Sequence, residues 1–192
     1  MNIPRGSVRC RCTSGAHPTR LVALTGGPGA GKTAVLEMAR RALCEHVAIL
    51  PEAAGILFGG GFPRGDEPDA RRAAQRAIFH VQRELEALAL GQGGVAVALC
   101  DRGTVDGLAY WPGDADAFWT QLGTTLSAEL ARYVAVIHLE TPRGDQGYDH
   151  SNHLRIESAA EALEIDARIK RAWAPHPRRT VVSSRTDFME KA

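Results

Sequence analysis

The chain has 192 residues, 44% of them hydrophobic and 23% charged, which is enough for one sizeable core and too little for two. Formal net charge is +1, which excludes a strongly basic nucleic-acid binder or a polybasic membrane-surface protein. No apolar run reaches the length of a membrane span, no secretory hydrophobic region opens the chain, and four scattered cysteines fall short of a disulfide framework; a reduced, cytoplasmic protein is expected.

Residues 1–19 hold Pro, Gly, Ser and Arg but almost no large apolar side chains, so a flexible extension is expected there, ahead of one nucleotide-binding domain over 20–192. Cys10-x-Cys12 with His17 lacks a full ligand set for a metal, which would have to be completed from elsewhere in the chain; the plain reading is a metal-free extension. Residues 20–25 form an apolar run that stops at a Gly-rich turn and read as a buried strand. Helical spacing follows over 32–45, then a second strand over 47–50 that ends at Pro51-Glu52, and a loop over 59–63. The spacing over 69–90 predicts a long amphipathic helix with Ala74, Ile78, Val81, Leu85 and Leu88 on one face. A third strand over 95–100 ends at Asp101-Arg102-Gly103. Residues 114–131 read as helix, 133–139 as a fourth strand, 156–173 as helix with Ile165, Ile169 and Trp173 in register, and 180–183 as the last strand. Strands alternating with helices imply right-handed crossovers and a mostly parallel sheet covered on both faces, with ligands at the carboxyl ends of the strands.

Gly26-Gly27-Pro28-Gly29-Ala30-Gly31-Lys32-Thr33 matches G-x-x-x-x-G-K-[ST] between a strand and a helix. The glycines let successive N–H groups point at phosphate oxygens, the helix N-terminus adds partial positive charge, Lys32 reaches the β/γ-phosphates, and the Thr33 hydroxyl completes a Mg²⁺ shell. The guanine-specifying N/T-K-x-D is missing after a late strand, which favours ATP while leaving GTP open. Asp101 can hold Mg²⁺ or take a proton from an acceptor hydroxyl, and Arg102 can neutralise phosphate charge. Glu52, after the second strand, is the other candidate general base.

Residues 140–155 are polar and break the periodicity, the profile of a lid; its Arg155, at a helix start, is the candidate phosphate-clamping arginine and Arg143 the second choice. The 69–90 helix flanks the acceptor pocket in such a sheet, so Gln82 and Arg83, together with Arg143, are candidate substrate contacts. His138 lies mid-strand and reads as structural, and Asp106 as a cap or turn residue.

The combination Thr25 through Thr33, Pro51-Glu52-Ala53-Ala54, Asp101-Arg-Gly-x-x-Asp106-Gly-Leu-Ala-Tyr110 and Arg155-x-Glu157 resembles a family of small AAA-type P-loop ATPases. They are similar to the nicotinamide riboside kinase domain and more distantly to deoxynucleoside and thymidylate kinases. The resemblance spans about residues 20–185. It implies a three-layer α/β P-loop NTPase of kinase type with a five-stranded parallel sheet flanked by helices. It also implies the catalytic set Lys32, Glu52, Asp101, Arg102 and Arg155, with Mg²⁺ held by Thr33 and Asp101. The expected reaction is transfer of the γ-phosphoryl group of Mg·ATP to an unidentified small molecule, with no nucleic-acid partner; a homodimer is compatible with the sequence. The alternative is an ATP- or GTP-dependent switch with no acceptor.

Overall fold

The computed structural model describes residues 3–8, 10, 18–142 and 158–184. The apolar runs form five strands, β1 (Arg20–Thr25), β2 (Val47–Leu50), β3 (Val97–Asp101), β4 (Tyr133–Leu139) and β5 (Arg179–Val182), all parallel in the order β2-β3-β1-β4-β5. From β1 the chain goes to the edge strand β2, returns to β3 beside β1, and then crosses to β4 and β5 on the other side. Such a reversal leaves a crevice at the carboxyl end of β1, between β3 and β4.

Strand alternation sorts the core into two layers. Leu21 and Ala23 of β1 join Leu50, Ala98, Cys100, Tyr133 and Val136 on one face. There they pack against α3 (Pro68–Gly91), α4 (Ala115–Leu122) and α6 (Ala159–Ala172) through Phe79, Ala89, Phe118, Trp119, Ile169 and the following Trp173. Leu24, Ile49, Leu99 and Leu139 face the other way, with Leu36 of α1 (Lys32–Ala42). The fold is the expected three-layer α/β sandwich with a five-stranded parallel sheet.

Several boundaries move for identifiable reasons. The segment 53–59 is a short helix, α2 (Ala53–Gly59), although its apolar composition carries no polar stripe. The helix expected over 114–131 is broken by Gly123 at φ 65, after which the Thr125 hydroxyl accepts from the Ala128 N–H and starts α5 (Leu126–Leu130). On α3 the most buried stripe is Ala74, Phe79, Gln82, Glu86 and Ala89, while Leu88 is 63% exposed. The expected face is thus rotated, because two polar residues on it find partners inside.

Residues 3–8, expected to be part of a flexible extension, instead lie along the outer edge of β2. The Gly6 N–H donates to Val47 O (2.9 Å), Ile49 N–H to Pro4 O (2.8 Å), Val8 N–H to Leu43 O (3.2 Å) and Glu45 N–H to Val8 O (3.0 Å). A Cβ at Gly6 would stand 2.3 Å from the carbonyl oxygens of Leu43 and Cys44, so the close approach requires glycine. Ile3 adds a side chain packed against the core. Among the described residues no helix is long and apolar enough to cross a membrane.

Candidate active site

The loop 26–31 leaves β1 and turns into α1 through three glycines at positive φ, Gly26 (137°), Gly29 (78°) and Gly31 (90°). At Gly26 the requirement is steric as well: a Cβ would lie 2.1 Å from Leu139 O at the end of β4. Three long-range contacts set the loop. The Gly27 N–H donates to Asp166 Oδ1 on α6 (2.7 Å), the Thr141 hydroxyl donates to Pro28 O (3.2 Å), and the buried Ala30 packs with Leu24 and Leu139. His138, fully buried on β4, contacts the same Asp166 oxygen through Nε2 at 3.1 Å. Burial works to raise the Asp166 carboxyl, but His138 and the Gly27 N–H more than offset it and hold it below the ordinary range.

The Lys32 ammonium lies folded within the loop, donating to Gly26 O and Gly27 O at 2.9 Å each. Burial, then the Arg102 charge, lower its pKa to about 8. Thr33, one residue on, is exposed at the cavity wall. Asp101 ends β3 in register with Leu24 of β1, which brings its carboxylate beside the loop. Burial first, and Glu52 second, raise its pKa to about 6. Among the described residues its buried Oδ1 has no hydrogen-bond partner.

Arg102 is the sole non-glycine among the described residues at positive φ, 72°. That conformation costs an arginine on the order of 1–2 kcal/mol, and its neighbours hold it there. Its N–H donates to Leu24 O (3.0 Å), Nε to Glu52 Oε1 (2.6 Å) and a terminal nitrogen to Gly26 O (3.1 Å). Burial works to raise Glu52, but Arg102, Lys32 and Arg64 outweigh it and keep the carboxyl below its usual range. Asp106 closes the crevice from behind: it accepts from Thr25 Oγ1 (2.5 Å), Trp173 Nε1 (2.9 Å) and the Gly103 N–H (2.9 Å), the cap role its position implied.

One cavity of about 600 Å³ joins these groups. Pro28, Gly29, Lys32 and Thr33 line one end, with Glu52, Asp101 and Arg102 at its centre. The far end is formed by Phe58 and Arg64, whose guanidinium stacks 4.2 Å from the Phe58 ring, by Arg71, Gln75, Ile78 and Gln82 of α3, and by Tyr110 and Arg168. Gln82 reaches the cavity, but its amide also donates to Glu86 Oε1 (2.8 Å). Arg83 does not reach it: one residue further round α3, it donates to Glu129 Oε1 (2.9 Å). Arg143 and Arg155, and with them most of the expected lid, lie outside the described residues. Sequence reasoning passed over Asp166, whose tie to the loop spans 139 positions, and over Arg71, although Arg71, Gln75, Ile78 and Gln82 share one helical face by spacing alone.

With this geometry in place, the comparisons with known proteins give the class. The chain belongs to the AAA domain family, whose model matches residues 21–191. No curated protein matches the sequence. Among solved structures it is similar to the NadR protein in complex with NR (TM-score 0.64, 16% identity, 90% of this chain), where the chain spans about half, 48%, of the length of that protein. It is also similar to deoxyadenosine kinase from M. mycoides with bound dATP (TM-score 0.60, 14% identity, 90% of this chain and 94% of that one). At such identities the likeness shows the fold alone.

Proposed function

We propose that this protein is a phosphotransferase that moves the γ-phosphoryl group of Mg·ATP onto the hydroxyl of a small molecule. The observation that carries the reading is the continuity of the cavity. The phosphate loop and two strand-end carboxylates share one space with the α3 wall, and about 600 Å³ leaves room for an acceptor next to the phosphates.

Lys32 exchanges its two loop carbonyls for phosphate oxygens, regaining a counter-charge that burial denies it. The hard oxygens of Thr33 and Asp101, one of them buried and unpartnered, fit Mg²⁺; when bound, the ion would neutralise charge on the phosphates. Glu52 is ionised at neutral pH and held by Arg102, so it accepts a hydrogen bond from the acceptor hydroxyl and takes its proton as transfer proceeds. Arg102 then turns part of its charge toward the transferring group. The rate comes from positioning and electrostatics, with no covalent intermediate on the protein. The arginines of the far end favour a polar, hydroxylated acceptor, and NR and the nucleosides are the first compounds to try.

The test follows ADP release from Mg·ATP with such a panel, above the acceptor-free background. Stimulation by one acceptor, lost by about 10²–10⁴-fold in Glu52→Gln with nucleotide affinity kept, supports the reading. Tight nucleotide binding with no stimulation by any acceptor counts against it and favours a nucleotide-dependent switch.

A further inference from the structure

At the opposite end of the sheet from the phosphate loop, the docked N-terminal segment brings a second set of chemically active groups together. Val8 pairs with Cys44 as a parallel bridge, which carries Cys10 to the turn between α1 and β2. That turn is closed by the Val47 N–H on Cys44 O (2.9 Å), and it presents Cys44 and His46. One ligand atom from each of Cys10, Cys44 and His46 lies within 4.8 Å of the other two, and Cys44 Sγ is 3.9 Å from His46 Nδ1. All three residues are half-buried, and none lines the phosphate cavity.

We infer that Cys10, Cys44 and His46 form a zinc site that fastens the N-terminal segment to the α1–β2 turn. The distances are those of a three-toothed clasp slightly open. Tetrahedral zinc with Zn–S near 2.3 Å and Zn–N near 2.05 Å sets ligand atoms about 3.6–3.8 Å apart, so side-chain rotations of under about 1 Å close it. Two thiolates with an imidazole are soft ligands that select zinc over magnesium or calcium. Solvent reaches the half-buried cluster and supplies the fourth position. Binding Zn²⁺ releases two thiol protons to water and leaves a neutral centre of one dication, two thiolates and one neutral imidazole. The backbone bonds of residues 6–8 already hold the segment in place, so the ordering cost of bringing Cys10 to the site is met before the metal arrives.

The test titrates the full chain, purified under reducing conditions and freed of metal, with Co²⁺ as spectroscopic probe. The expected result is one Co²⁺ per chain with thiolate-to-cobalt charge-transfer absorption and the intense visible bands of a four-coordinate ion, bleached by stoichiometric Zn²⁺. Cys44→Ser and His46→Ala each weaken Co²⁺ binding by about 100-fold or more, while both variants bind nucleotide as the parent does, which shows that they are folded. At 100-fold excess over its Kd, Zn²⁺ raises the melting temperature of the parent by on the order of 5–10 °C. The inference falls if no such bands appear, or if Cys44→Ser binds Co²⁺ as tightly as the parent. It also falls if thiol alkylation at cell lysis finds Cys10 and Cys44 joined as a disulfide.

Discussion

Lys32 and Asp101 sit within one crevice, and burial moves each toward its neutral form, Lys32 to about 8 and Asp101 to about 6. In the proposed function, nucleotide with Mg²⁺ needs both charged. Affinity for Mg·ATP should therefore be flat between about pH 6 and pH 8 and weaken by up to about tenfold per unit on either side, read by calorimetry or fluorescent-nucleotide titration. The acid limb belongs to Asp101 and should vanish in Asp101→Asn, with affinity lowered throughout.

The same residue affects stability with a definite sign. Folded Asp101 titrates near 6 against about 4 unfolded, so its contribution is fully present below pH 4 and is lost as pH rises through 6. In the absence of nucleotide, Asp101→Asn should be more stable than the parent by about 1–2 kcal/mol above pH 7, and the two should converge toward pH 4 in urea melts. Lys32→Ala should lose nucleotide-dependent turnover by 10³-fold or more. A variant with parental turnover would remove the phosphate loop from the mechanism.

At the scale of elements, α3 is held to β4 by a buried polar network as well as by apolar contact. Fully buried Glu86 accepts from Gln82 and Tyr133, the latter at 2.6 Å, and from Arg132; Tyr133 also receives the Thr104 N–H at 2.8 Å. Tyr133→Phe strands the Thr104 amide and leaves Glu86 Oε1 with the Gln82 donor alone, and should cost about 1–3 kcal/mol in urea melts without moving the pH plateau. Asp166 plays the matching part for the phosphate loop. Asp166→Ala orphans the Gly27 N–H and should weaken nucleotide binding about tenfold although Asp166 does not line the cavity.

These ties explain what could be read from the chain. The strands were legible because β1, β2 and β3 are continuous apolar runs, as parallel strands buried on both faces are. Lys32, Thr33, Glu52, Asp101 and Arg102 were legible because motif and strand ends place them. Glu86 and Asp166 were not, since only partners 28–139 positions away in sequence reveal that a polar helical face is turned inward. The N-terminal segment was missed for a related reason. Composition reports side-chain burial, whereas residues 3–8 are held mainly by main-chain hydrogen bonds, and one glycine and one isoleucine are the faint marks these leave in residue type.

For the whole molecule, a net charge of +1 provides little mutual repulsion between copies. Solubility then depends on how the margins of the sheet are finished. The strip formed by residues 3–8 occupies N–H and C=O groups of Val47 and Ile49 that an outermost strand would otherwise offer to any other extended chain. Besides supporting the proposed zinc site, the segment is thus a guard against self-templating. A chain beginning at residue 18 should keep its nucleotide pocket yet associate in a concentration-dependent way, seen as growing light scattering, through new strand pairing along Val47–Leu50.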